Sequence, residues 1–262
     1  MRYLRTYENF DNMEPDVVKV LEQIKKSPLV EDLRNCTEIY HNWNYEKNDG
    51  YDGHRLLYHT IRGEMWEDFH DYETINHLKR SKPSDTPQPL HNYVSKKIVK
   101  NIGWNPREDA IFVHNAQLDT GGLNYSDGDY GEQFIIFPLG DYKMAWVELV
   151  EDMYSYLNDN FYIYTTWQNW WDKFPTIDEN GELQEPDHST KGINKIAPLD
   201  DVKDEIYKIY DFLAAYGENI IDDGKLCNWL GNRIEGMLKA EQYIIIDMKY
   251  EQDIIDYIWG KK

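Results

Sequence analysis

The run Phe134-Ile135-Ile136-Phe137 is wholly apolar, short and bounded by turn residues, and this pattern decides the fold class. Short apolar runs of this kind are typical of strands buried inside a sheet. Ala110-Ile111-Phe112-Val113 has the same pattern, and Gln242-Tyr243-Ile244-Ile245-Ile246-Asp247 predicts a late, fully buried strand. Another strand-like segment ends at Ile61. Together these segments predict the strands of a packed core.

Apolar residues at helical spacing predict helices between these strands. Thr86-Pro87 is a start signal, because the threonine hydroxyl caps a helix well and proline suits its first turn. Leu90, Val94 and Ile98 then recur on one face until Asn101-Ile102-Gly103 ends the pattern. The predicted helices cover residues 14–25, 64–78, 86–101, 201–216 and 225–239. Strands and helices in this mixture predict the α+β class.

The chain length and the positions of prolines and glycines predict the domain organisation. A chain of 262 residues is predicted to form one α+β domain over residues 1–262. Residues 1–50 are predicted to be a helical N-terminal extension. Region 175–200 carries prolines and glycines without any periodic pattern, which predicts an internal loop or insertion.

The charge of the chain limits its partners. It has 28 basic and 48 acidic residues, which give a net charge of −20. A surface this negative repels phosphate backbones, so direct nucleic-acid binding through a broad basic face is disfavoured. Two interpretations remain: high solubility alone, or an acidic face that binds a basic partner and even mimics DNA.

The two cysteines and the chain start predict the compartment. Cys36 and Cys227 are far apart and form no Cys-x-x-Cys pair, so we expect no disulfide framework and a reducing compartment. The first eight residues are charged where a signal peptide needs an apolar run. Apolar stretches such as 243–246 are too short to cross a bilayer. The prediction is a cytoplasmic protein without membrane contact.

Five motifs lie in a fixed order between residues 58 and 154. They are Ile61-Arg62-Gly63-Glu64, Lys82-Pro83-Ser84-Asp85-Thr86-Pro87, Ala110-Ile111-Phe112-Val113, Phe137-Pro138-Leu139-Gly140-Asp141-Tyr142-Lys143 and Trp146. In that order and spacing the block resembles a group of phage-encoded proteins with an ADP-ribosyltransferase-like fold. The resemblance covers 58–154, and 225–250 more loosely. It implies a split, mostly antiparallel sheet flanked by helices, NAD as the bound substrate, and transfer of ADP-ribose to a host or phage macromolecule. Host cytoplasm or the virion is the implied location.

Two residues carry the catalytic roles that the resemblance implies. Arg62 would hold the dinucleotide, because a guanidinium donates to two oxygens at once and stays charged. Glu241, just before the late strand, would stabilise the positive charge that develops as the glycosidic bond breaks. Strand phase leaves Gln242 as the alternative at that position, and a neutral amide cannot supply the charge. The structural alternative for Arg62 is an ion pair with a nearby carboxylate.

Four further residues are candidates for contact with NAD. Many ADP-ribosyltransferases carry a serine or threonine near the position of Val113 that supports the catalytic glutamate, and this chain has His114 there. A histidine after a strand is otherwise often structural. Arg80 is the rival of Arg62 for the phosphates, whereas Tyr130 and Tyr142 are the aromatic candidates for ligand contact.

A second function of a different class stays open: a non-enzymatic acidic interaction protein, either a virion component or an inhibitor. Segment 147–190 interleaves acidic and aromatic residues, which favours a docking surface for a basic protein partner. The chain lacks a phosphate-binding loop, a His-Glu-x-x-His motif and a Gly-x-Ser-x-Gly elbow. Its histidines match no zinc spacing, so no metal is predicted.

Overall fold

The computed structural model describes residues 13–36, 56–61, 71–76, 86–115, 132–148, 153–167, 174–184, 199–222, 226–230 and 235–259. The helices are α1 (Pro15–Ile24), α2 (Leu29–Asn35), α3 (Gln88–Ile102), α4 (Pro106–Asp109), α5 (Met153–Asn160), α6 (Tyr162–Trp167), α7 (Leu199–Glu218), α8 (Leu226–Leu230) and α9 (Glu251–Trp259). The strands are β1 (Tyr58–Ile61), β2 (Tyr72–Asn76), β3 (Ile111–Val113), β4 (Glu132–Leu139), β5 (Lys143–Val147), β6 (Thr176–Ile177), β7 (Leu183–Gln184), β8 (Ile220–Ile221), β9 (Gly236–Lys239) and β10 (Gln242–Asp247). A 3₁₀ turn, Met248–Tyr250, precedes α9.

Helices and antiparallel strands are mixed along the described chain, so the α+β class is confirmed. The chain forms two compact units, whereas the sequence predicted one domain. Unit 1 comprises residues 1–78, 110–145 and 223–262, and unit 2 comprises residues 79–109 and 146–222. Among the described residues, no helix has the length and apolar character that a membrane crossing requires.

The centre of unit 1 is a four-stranded antiparallel sheet of order β1-β4-β10-β2. Its two inner strands are β4 and β10, in which Ile135 lies opposite Ile246 and Ile136 opposite Ile245. All four of these side chains have no exposed surface. A run of such residues is what a strand covered on both faces requires, so the predicted strands at 134–137 and 242–247 are confirmed, although the second is fully buried only over 243–246.

Helix α2 connects several parts of unit 1. The Nε1–H of Trp259 in α9 donates to the carbonyl oxygen of Leu33 at 3.0 Å, and the Arg34 guanidinium lies 5.0 Å from the centre of the Tyr257 ring. Cys36, at the end of α2, forms a disulfide with Cys227 in α8. The expectation of no disulfide was therefore wrong. A separation of 191 residues in sequence gave no sign that the fold brings α2 and α8 together.

A smaller ladder in unit 1 joins β3 to β9, with Val113 opposite Gly236, and β9 lies next to β5. Gly236 has no room for a side chain, because an added Cβ would lie 2.4 Å from Met144 Cε and 2.8 Å from the Trp229 ring. The main chain of β9 thus starts in close contact with α8. Of the helix predicted over 225–239, residues 226–230 form α8 and residues 236–239 form β9, whereas residues 231–234 lie outside the described chain.

Unit 2 is built on α3 packed against α7. Asn101 Nδ2 of α3 donates to the carbonyl oxygens of Gly217, Glu218 and Ile220 at 3.1–3.3 Å, which joins the end of α3 to the end of α7. In the same unit the end of β5 pairs with β8, placing Trp146 opposite Ile221. The predicted loop 175–200 contains the hairpin of β6 and β7, and its residues 185–198 lie outside the described chain.

Two local predictions were wrong. Residues 72–76, inside the helix predicted over 64–78, form the edge strand β2, and residues 64–70 lie outside the described chain. Helix α3 begins at Gln88 with Pro87 in the N-cap position, and no side chain caps it there. Thr86 instead lies one residue further out and is fully buried.

Candidate functional site

The structure describes only part of the predicted NAD site. Arg62, Arg80 and Tyr130 lie outside the described residues. Glu241 is exposed at the bend between β9 and β10. Gln242, the alternative at that position, is also exposed, and its Nε2 donates to Asn76 Oδ1 at 2.9 Å. The two rivals thus share the same exposed strand start.

Strand register separates the two ends of the predicted site. Ile61, which precedes Arg62, lies opposite Glu132 on β4, whereas Gln242 lies opposite Leu139 on the same strand. These partners are seven positions apart, or about 24 Å at the usual rise along a strand. The neighbours of Arg62 and Glu241 therefore lie at opposite ends of the sheet, and the pairing of the two residues around NAD stays a prediction.

Tyr142 is anchored to α2. Its hydroxyl donates to Asp32 Oδ2 at 2.5 Å. Burial and then the Asp32 carboxylate raise the pKa of the Tyr142 phenol well above its usual range. The side chain is half-buried, so part of the ring still reaches the surface. The predicted contact with the nicotinamide is therefore restricted to that part, because the hydroxyl is engaged within unit 1.

A different carboxylate lies beside the predicted His114. Val113 is opposite Gly236, and continuing this register by one residue places Glu235 opposite His114. On its other side, His114 exchanges both main-chain hydrogen bonds with Tyr58 of β1, at 2.8 and 2.9 Å. Directly opposed residues of antiparallel strands project from the same face. Tyr58 and His114 therefore lie in one row, to which the continued register adds Glu235, the residue just before β9.

The surroundings of this row differ from one side to the other. The Tyr58 hydroxyl is buried and donates to Glu251 of α9, and burial followed by the Glu251 charge raises the pKa of the phenol. His114 and Glu235 are half-buried and thus partly open to solvent. Their Cβ atoms are expected about 5 Å apart, a distance at which an imidazole N–H can donate to a carboxylate. At this end of the row, the His114 imidazole can therefore fix the orientation of the negatively charged Glu235 carboxylate.

Sequence reasoning missed Glu235 because it placed residue 235 inside a helix. The available signal was Gly236-Met237-Leu238, a short apolar run directly after the glutamate, which fits a strand as well as a helix. Pairing with β3 decides the conformation, and β3 lies more than 120 residues earlier in the chain.

Three contacts fix the backbone next to this pair. Asn115, which follows His114, is buried, and its Nδ2 donates to the carbonyl oxygens of Trp229 and Leu230 at 3.3 Å each. The ring of Trp229 closes on Gly236. On β1, the Nδ1 of His59 lies 2.7 Å from the carbonyl oxygen of Phe112. The ends of β3 and β9 are thus held against α8 and β1.

Two buried polar atoms lie further along β1. Thr60 and Gln133 are opposite each other on β1 and β4, on the same face as Tyr58. Thr60 Oγ1 and Gln133 Nε2 are both buried, and neither has a hydrogen-bond partner. Such atoms destabilise a fold by about 1–3 kcal/mol each. This part of the sheet therefore contains polar groups whose burial no hydrogen bond among the described residues offsets.

The predicted docking segment 147–190 is described in part. Tyr156 stacks on Phe212 of α7 with ring centres 4.3 Å apart, so it belongs largely to the packing of unit 2. Tyr162 is 78% exposed, and Asp159, three residues earlier in the chain, is also exposed. Trp170 and Trp171 lie outside the described residues, and the structure does not describe the side chain of Trp167.

No group of three or more His, Cys, Asp or Glu side chains among the described residues is arranged to hold a metal ion. Comparison with protein-family models, with curated proteins and with solved structures found no match for this chain. The function is therefore argued from the residues themselves.

Proposed function

We propose that the protein is an NAD-dependent mono-ADP-ribosyltransferase in which Glu235 supplies the catalytic carboxylate. The observation that supports this assignment is the β3–β9 register, which ends with Val113 opposite Gly236 and, continued by one residue, sets Glu235 opposite His114. In the resembling family, a residue near this position supports the catalytic glutamate. Glu235 lies at the end of β9 that faces this supporting position, whereas Glu241 follows the other end of β9, just before β10.

The chemistry needs a fixed negative charge. The bond between the nicotinamide nitrogen and the ribose carbon breaks, and its electron pair leaves with nicotinamide. The ribose becomes a cation, which the Glu235 carboxylate stabilises, with His114 proposed to orient that carboxylate. A nucleophile of the acceptor then bonds to the ribose carbon and loses its proton to solvent. Arg62 is proposed to hold the phosphates.

The acceptor is proposed to be a host or phage protein with a basic surface. The net charge of −20 attracts such a surface and repels the phosphates of a nucleic-acid acceptor. Association would then weaken as salt is raised, because screening shortens the range of the attraction.

Two matched variants test the assignment. Purified protein is incubated with radiolabelled NAD, and the release of nicotinamide is measured for the wild type, Glu235→Gln and Glu241→Gln. We expect Glu235→Gln to lower turnover by about 100-fold, the usual effect of removing one stabilising group. Glu241→Gln keeps turnover within about twofold, since its exposed side chain is far from the row. The opposite result would return the role to Glu241.

Calorimetry separates a wrong residue from a wrong function. If the folded wild-type protein takes up no NAD, the transferase proposal is excluded whichever glutamate is changed. Circular dichroism of each variant supplies the control for folding.

The second candidate, an acidic interaction protein without catalysis, is favoured by Tyr162. An aromatic ring that is 78% exposed beside acidic residues is typical of a docking surface. This candidate predicts salt-sensitive binding to a purified basic nucleic-acid enzyme, lost in Tyr162→Ala, together with no uptake of NAD.

A further inference from the structure

Within unit 1, three contacts of helix α8 reach α2 or the neighbours of the candidate site, and each involves a different side chain. Cys227 is bonded to Cys36 at the end of α2. Asn115 donates to the last two carbonyl oxygens of α8, and Trp229 packs on Gly236. Two of these contacts come from residues adjacent in sequence to His114 and Glu235. The position of α8 therefore determines how those two residues face each other.

We propose that the Cys36–Cys227 disulfide is a redox-controlled brace for the Glu235 site. While the bond is intact, it holds α8 against α2, and α8 holds the start of β9. When the bond is reduced, this helix of five residues loses its covalent link to α2 and keeps the hydrogen bonds from Asn115 and the packing of its buried residues Leu226, Trp229 and Leu230. The effect on catalysis rests on the role of Glu235 proposed above, whereas the effect on α8 does not.

The position of the bond suits reversible reduction. Cys227 is half-buried, whereas Cys36 is 3% exposed, so we expect a reductant to attack on the Cys227 side. A thiolate of a dithiol attacks this sulfur, and the Sγ of Cys36 leaves as a thiolate and takes up a proton. The second thiol of the reductant then closes its own disulfide and releases Cys227 as a thiol. Two electrons pass from the dithiol to the protein, and a disulfide oxidant reverses the step.

The reducing compartment was predicted from the expected absence of a disulfide, so this bond fits such a compartment only as a labile one. Structural disulfides are rare there, and those that do form are mostly transient or regulatory. Accessible bonds of this kind exchange readily with small dithiols. A disulfide that joins two short helices next to a candidate site can thus make the geometry of that site depend on the redox state of the compartment.

The first test does not depend on NAD. Hydrogen–deuterium exchange is measured on the oxidised protein and on protein reduced with dithiothreitol and alkylated. We expect exchange in α8 and β9 to rise about tenfold on reduction, while β4 and β10 stay protected. Unchanged exchange in α8 and β9 overturns the proposal. So does a rise throughout unit 1, since the bond would then stabilise the whole unit and not a local brace.

The second test links the brace to the site. Nicotinamide release is expected to fall by about 10-fold to 100-fold on reduction, because small displacements of a catalytic group carry costs of that size. Reoxidation restores it, and the double variant Cys36→Ser/Cys227→Ser has the low rate with or without dithiothreitol. Equal rates in both redox states overturn the link. If the oxidised protein releases no nicotinamide, the proposed function fails, and the exchange experiment still decides the brace.

Discussion

Replacement of Gly236 by alanine tests the close contact on which the geometry of Glu235 depends. The new Cβ would lie 2.4 Å from Met144 Cε and 2.8 Å from two carbon atoms of the Trp229 ring. The methionine end is flexible and can turn away. The tryptophan ring is fully buried, and the main chain of Trp229 is bound by Asn115, so it cannot move without α8.

The expected loss in free energy of unfolding depends on the rigid Trp229 ring and less on the flexible end of Met144. Forcing one extra carbon into a packed core destabilises by about 1–3 kcal/mol, and a rigid neighbour places this site at the upper end, about 2–3 kcal/mol. For a chain of 262 residues, a loss of that size lowers the melting temperature by about 5 °C. Strand β9 must also shift, so Glu235 moves relative to His114. Nicotinamide release should then fall by at least about tenfold at temperatures where the variant stays folded.

Differential scanning calorimetry and urea unfolding measure the first effect, and the NAD assay measures the second. Gly140→Ala is the matched control, because Gly140 has a φ of 73° but nothing within 4 Å of the added carbon. It should lose about 1–2 kcal/mol through backbone strain alone and keep its activity. The reasoning is refuted if Gly236→Ala matches the wild type in stability within about 0.5 kcal/mol.

Two further predictions concern buried polar groups. Thr60→Val removes a buried hydroxyl that has no partner, so the free energy of unfolding in urea should rise by about 1 kcal/mol; a loss of that size would show that the hydroxyl is bound to something. Burial raises the pKa of Tyr243 to about 12. The pKa of the folded state therefore exceeds the unfolded value of about 10. The contribution of this phenol to the free energy of unfolding is complete below pH 10 and is lost by about pH 12. It amounts to at most about 3 kcal/mol. Tyr243→Phe should flatten the decline of unfolding free energy over that range; an unchanged pH profile would assign the decline to other groups.

Local sequence patterns predicted those parts of the fold that depend on neighbouring residues. Helix α1 lies within one residue of its predicted bounds, and the spacing of Leu90, Val94 and Ile98 correctly gave the buried face of α3. Each of these helices carries a continuous apolar stripe, and burying that stripe against the core stabilises the helix. The buried strands β4 and β10 were predictable for the same reason, since continuous apolar runs permit few other structures.

The candidate site was less predictable, because it depends on pairing over long distances. Residues 236–239 have no strong preference of their own, and their conformation is set by β3. The disulfide depends on the meeting of α2 and α8, which no spacing in the sequence encodes. The pairing of His114 with Glu235 is inferred from register, and register is decided only when both strands are in place.

The position of β10 has a consequence for synthesis in the cell. This strand lies between β4 and β2, yet it belongs to the last of the three chain segments that form unit 1. While the ribosome is still making residues 146–222, the apolar edge of β4 has no covering strand on that side. The nascent chain therefore exposes an aggregation-prone edge until residues 242–247 have been synthesised, and it should depend on chaperones during that interval.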